Sequence, residues 1–130
     1  MLSDHLHDER VRNYDRTLKP SELLELSYEK FCQYTDKYPR GPEHGLLLGL
    51  GLCSEAGEVA GKLKKALRDC TDHDKLVYDL QSELGDVLWY AQRLSSFYGL
   101  GTIFDLQNAN RAKLIDRIQR GQISGSGDHR

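Results

Sequence analysis

Two stretches of apolar residues at helical spacing, separated by a short polar break, constrain this chain more than any other feature. In the first, Leu52, Ala56, Val59, Ala60, Leu63, Ala66 and Leu67 recur with the period of a single helix face. In the second, Leu76, Val77, Leu80, Leu84, Val87, Leu88, Ala91 and Leu94 do the same. Between them Asp69 to Asp74 is polar, and Thr71 or Asp72 is placed to cap the second of these helices. Two long amphipathic helices joined by so short a connection pack antiparallel. No segment alternates with period two or carries a hairpin turn, so the expected fold class is all-α.

The rest of the chain fits around that pair. A helix is expected from Pro20-Ser21 to about Lys37, since proline suits a first turn and Tyr38-Pro39-Arg40-Gly41-Pro42 stops it. The next begins near Pro42 or Glu43 and ends near Arg68. The third ends at Gly99 in a left-handed cap, with Tyr90 and Trp89 along its length. A fourth opens at Thr102, with Asp105 completing a capping box, and runs to about Arg120 before Gly121. The domain therefore spans 20–120. Residues 1–19 form a polar N-terminal arm whose His5 and His7 read as solvated, and 121–130 form a Gly/Ser-rich tail.

Composition narrows the function. Eighteen basic and twenty acidic side chains leave a formal charge of −2, which argues against a general nucleic-acid binder. Three cysteines with no Cys-x-x-Cys spacing fit neither a disulfide scaffold nor a zinc knuckle. The N-terminus lacks a signal-peptide core, and the greasy run Leu46–Cys53 is far below the roughly 18 residues a membrane span needs. The expected location is cytoplasmic, or the host cytoplasm for a virus-encoded chain, with no membrane partner.

The chemistry lies in two pairs of acids on the two long helices, Glu55 with Glu58 and Glu83 with Asp86. Residues at i and i+3 are neighbours on a helix surface, so each pair faces one side. Four carboxylates brought together by an antiparallel pair repel unless a cation lies between them. An all-oxygen donor set suits Mg²⁺, with Mn²⁺ as a substitute. A di-iron carboxylate bundle is excluded, because it needs Glu-x-x-His pairs and no histidine lies in either acid segment. The plainer reading is a solvated face, with Glu58 and Lys62 as a surface ion pair worth about 0.3–0.5 kcal/mol. Glycines at 49, 51, 57 and 61 in one helix suggest close approach of a helix, subunit or ligand. Leu46, Leu47 and Leu50 form an apolar flank that predicts a homo-oligomer.

The segments Gly51 to Val59 and Glu83 to Tyr90 resemble the MazG-type all-α nucleoside triphosphate pyrophosphohydrolases. The likeness covers about residues 28–120, from Tyr28 and Tyr38-Pro39 through Ala109-Asn110-Arg111-Ala112-Lys113-Leu114. It implies a four-helix-bundle-like fold and Mg²⁺-dependent hydrolysis of (deoxy)nucleoside triphosphates to the monophosphate and pyrophosphate. It also implies homodimers or homotetramers with sites near subunit contacts. The ligand set is then Glu55, Glu58, Glu83 and Asp86, with Glu55 the preferred general base. Lys62, Lys65, Lys113 and Arg117 are candidates to neutralise phosphate oxygens, and the motif match adds Asn110 as a contact to sugar or base. Tyr90 could stack on a base, whereas Trp89 reads as a core or subunit-contact residue. A narrow dUTP, dCTP or guanosine-alarmone hydrolase and a non-catalytic helical interaction module are the alternatives.

Overall fold

The computed structural model describes residues 18–122. What the sequence suggests for His5, His7 and Ser124–Gly127 lies outside them. Among the described residues there are five helices and no strand: α1 (Pro20–Leu24), α2 (Tyr28–Thr35), α3 (His44–Asp69), α4 (His73–Phe97) and α5 (Ile103–Gln119).

The two long apolar-periodic stretches become α3 and α4, packed antiparallel along their length. A half-buried row on α3, made by Leu52, Glu55, Val59, Lys62 and Ala66, faces a half-buried row on α4, made by Leu76, Leu80, Glu83, Val87, Tyr90 and Leu94. The cross-helix approaches Gly45–Phe97, Gly51–Tyr90 and Lys62–Asp79 lie at matching distances from the turn. Asp72 caps α4 as expected, its side chain accepting from the backbone N–H groups of Asp74 and Lys75.

The ends of the last two helices follow their sequence signals. Gly99 takes a left-handed φ of 68°, with Leu100 N–H donating to the Ser95 carbonyl at 2.8 Å and Gly99 N–H to Ser96 at 3.2 Å. That is a Schellman closure, and Gly121 repeats it on α5 through Gln122 N–H to the Arg117 carbonyl at 2.8 Å. Thr102 and Asp105 form the expected capping box.

The first expected helix is a correction. The stretch from Pro20 to Lys37 is broken into α1 and α2, because Ser27 leaves the helix and caps α2 by accepting the Lys30 N–H at 3.4 Å. α2 packs on α4, where Trp89 Nε1 donates to Thr35 Oγ1 at 2.7 Å. Trp89 is therefore an interhelical contact, in line with its core reading.

Candidate functional site

Three of the four acids, Glu55, Glu83 and Asp86, meet across the α3–α4 seam. Glu55, Glu83 and Asp86 each offer a carboxylate oxygen, and these atoms all lie within 4.8 Å of one another. Glu55 and Glu83 are half-buried in the seam, and Asp86 is exposed at its rim. Partial burial, then the charges of Asp86, Glu83 and Glu58, push the Glu55 carboxyl above its ordinary value.

Glu58 is not part of that close group. Glu55, Glu58, Lys62 and Lys65 follow one another at helical spacing, yet in the structure they divide into two rows. Glu55 and Lys62, two turns apart, are half-buried in the seam, whereas Glu58 and Lys65 are exposed. Three residues along a helix is a rotation of about 60° away from the starting face, and α4 covers only the first row. Lys62 accordingly reaches across to α4, with Nζ 3.3 Å from Glu83 Oε1 and 4.0 Å from Asp79 Oδ2, rather than closing the helix-surface pair with Glu58. Asp79 is also held by Lys75 at 2.8 Å.

Tyrosines from α4, α2 and the loop after α2 border the acids. The Tyr90 ring lies on α3 where Gly51 has no side chain, so any Cβ there would overlap it. Its edge meets Trp89 with ring centroids 4.9 Å apart, and its hydroxyl shares a 2.6 Å hydrogen bond with that of Tyr38. Burial first, then Tyr38, Glu55 and Asp86, push the Tyr90 hydroxyl well above its ordinary value. Tyr90 thus spends its ring on packing and its hydroxyl on Tyr38, near enough to Glu55 and Asp86 to feel their charge. Tyr28 is pushed up to about 12 by burial, then by Cys32, with Asp86 adding to the shift. Of the glycines expected to mark close approach, Gly51 does so within the chain, while a Cβ at Gly49, Gly57 or Gly61 would meet nothing within 4 Å.

The remaining candidates lie on α5, which packs on α4. Asn110 and Lys113 are exposed there, whereas Arg117 is only 4% exposed, where a phosphate would have to displace packing to reach it.

Sequence reasoning missed a buried charged cluster beside the site. Asp36, directly after α2, has a fully buried side chain. Its Oδ2 accepts from Arg93 Nε at 2.8 Å, His44 Nε2 at 2.8 Å and Arg40 at 3.1 Å, and its Oδ1 accepts the Tyr38 N–H at 3.0 Å. Burial alone would raise the Asp36 carboxyl. The bonds from Arg93 and Tyr38 and the charges of Arg93 and Arg40 outweigh it and hold the group below its ordinary value. The cluster fixes α2, and with it Tyr38, against the ends of α3 and α4. Its one sequence signal is the position of Arg93, which continues the Asp86–Tyr90 shoulder at helical spacing.

An antiparallel helical pair with carboxylates gathered in its seam defines the class: an all-α protein built around an acidic site. The profile of the MazG nucleotide pyrophosphohydrolase domain matches residues 44–120, from the first residue of α3 to just past α5, and the chain belongs to that family. The chain is also similar to the Gene 37 protein of Mycobacterium phage L5, with 44% identity over 85 residues, covering 62% of this chain and 72% of that protein. No solved structure matches it. No helix among the described residues is long and apolar enough to cross a membrane.

Proposed function

We propose that the protein hydrolyses (deoxy)nucleoside triphosphates to the monophosphate and pyrophosphate, with a divalent cation held by the acids of α3 and α4. The observation that carries this reading is the group of three carboxylates from two helices within 4.8 Å of one another. An oxygen-only donor set of that size fits a hard cation such as Mg²⁺, or Mn²⁺ in its place. Glu55, Glu83 and Asp86 would hold it. Glu58, exposed and one turn along α3, would add a fourth carboxylate to that set. Bound there, Mg²⁺ would neutralise and polarise the phosphate oxygens of the substrate.

The chain's own residues do the rest. The Glu55 carboxylate, half-buried in the seam, would take the proton of the attacking water at a carboxylate oxygen not bound to the cation. Lys62 and Lys65 stand on the α3 side of the acids to meet phosphate oxygens, and Lys113 and Asn110 on α5 contribute to substrate binding through the family motif. Tyr90, with Tyr38 bonded to it, forms a wall beside the acids.

Pyrophosphate release across a nucleotide panel, with and without Mg²⁺, tests this reading. Cation-dependent formation of monophosphate and pyrophosphate in equal amounts is expected, and a strong bias to one base would identify a narrow enzyme. Glu83→Gln and Glu58→Gln should each lower turnover by at least about 10-fold, the low end for loss of a group that supports a metal site, with helix content retained. Turnover unchanged in both variants would exclude the metal-site assignment. We further infer a homo-oligomer, supported by Leu46 and Leu50, which are exposed on α3, whereas Leu47 of the expected flank is half-buried.

A further inference from the structure

Lys62 lies where a metal-free acidic seam most needs positive charge. It follows Glu55 in the same half-buried row, and its ammonium stands 3.3 Å from Glu83 and 4.0 Å from Asp79, both on α4. The three side chains are 28%, 15% and 19% exposed, so salt screens them less than an open surface pair. Glu83 is thus shared. Its carboxylate belongs to the three-acid group with Glu55 and Asp86, and the same carboxylate holds the lysine. Asp79 lies outside that group and offers the ammonium a second anchor.

We propose that Lys62 is a built-in counter-cation that competes with the divalent cation for Glu83 and shifts onto Asp79 when Glu83 is taken. The proposal rests on the reading that Glu55, Glu83 and Asp86 hold such a cation. A lysine suits this role because its ammonium is a compact point charge on a flexible stem, able to exchange one carboxylate for another a short distance away. While Lys62 is on Glu83, the acids are partly neutralised and the seam stays closed without metal. Once on Asp79, the ammonium is displaced from the acids and within reach of a phosphate beside the loaded site. Cation uptake and phosphate binding are linked through one side chain.

The test is cation binding by the full chain without nucleotide, following free Mn²⁺ by electron paramagnetic resonance and Mg²⁺ by titration calorimetry. Lys62→Gln should tighten both by about two- to fivefold, the effect of removing one partly exposed ion pair. Lys65→Gln removes the same charge one turn away from an exposed position and should change binding by less than half as much. Asp79→Asn should weaken binding in the parent chain and do so less in a Lys62→Gln background, because the two residues act as a unit. Without metal, Lys62→Gln should unfold at lower temperature than the parent and gain more from Mn²⁺; Lys62→Met, which keeps the apolar stem, should behave alike. Unchanged or weaker binding by Lys62→Gln overturns the proposal, as does equal tightening by Lys65→Gln, which would reduce the effect to net charge. Failure of the parent chain to take up Mn²⁺ would instead overturn the metal-site reading, and the proposal with it.

Discussion

Asp36 is where a single side chain bears most on this fold. It ties the segment after α2 to α3 and α4 through His44 and Arg93, and the Arg93 side chain is 1% exposed. Removing one partner of a buried charged pair leaves the other uncompensated, so Asp36→Asn should cost about 3–5 kcal/mol. The pH dependence follows from the lowered carboxyl. Its contribution is full at neutral pH, begins to erode below the unfolded value of about 3.9, and is lost as pH falls through the lower native value. Urea unfolding over a pH series checks both statements. An Asp36→Asn curve with the same acid-side decline as the parent would show that another group carries the sensitivity. This cluster was not legible beforehand, because its members come from separate segments and each alone reads as a charge at a helix end. That Glu55 would face Glu83 and Asp86 was legible, because spacing along a helix fixes which face a residue takes; that Glu58 would lie outside their group was not. The division of Glu55 and Lys62 from Glu58 and Lys65 was not either, since it depends on how far α4 wraps around α3.

At the scale of elements, the α3–α4 hairpin carries the site, and its closeness depends on where α3 lacks side chains. Gly51→Ala would drive a methyl group into the Tyr90 ring, and overpacking of this kind costs about 1–3 kcal/mol. Gly61→Ala, with nothing within 4 Å of the added carbon, should instead gain up to about 1 kcal/mol from helix propensity. Thermal unfolding of the two variants side by side tests the packing, and a loss of stability in Gly61→Ala would contradict it. Gly51→Ala should also slow turnover by moving Tyr90 beside the acids. Strong periodicity made α3 and α4 readable almost to their ends, and the Thr102–Asp105 box and the glycines at 99 and 121 marked α5 and its neighbour. The break at Ser27 was hidden because Leu23, Leu24, Leu26 and Phe31 continue an apolar pattern across it. A single capping bond decided the boundary there, and hydrophobic spacing carries no trace of it.

For the molecule as a whole, the apolar core of one chain is thin. Among the described residues the fully buried apolar side chains are Cys32 and Leu48, while Asp36, His44, Gln92, Arg93, Ser95 and Arg117 are buried polar or charged groups. Outside the seam, Leu46, Leu50, Cys53, Gly57, Ala60 and Leu67 form an exposed row along α3 at alternating spacings of three and four, apart from one gap at Lys64. Leu46, Leu50 and Leu67 are 66%, 68% and 87% exposed. Such a row has the spacing of a helix–helix seam, which supports the inferred homo-oligomer. Leu50→Glu should lower the mass measured by sedimentation equilibrium, and a parent chain that sediments as a monomer at working concentration would contradict the inference. The central claim is that acids from α3 and α4 together hold a cation that grips a nucleotide's phosphates. It is tested most directly by anomalous diffraction from crystals grown with Mn²⁺ and a non-hydrolysable triphosphate analogue. An anomalous peak bounded by Glu55, Glu83 and Asp86 with phosphate oxygens beside it is expected; a peak elsewhere, or nucleotide bound away from the seam, would contradict the proposed function.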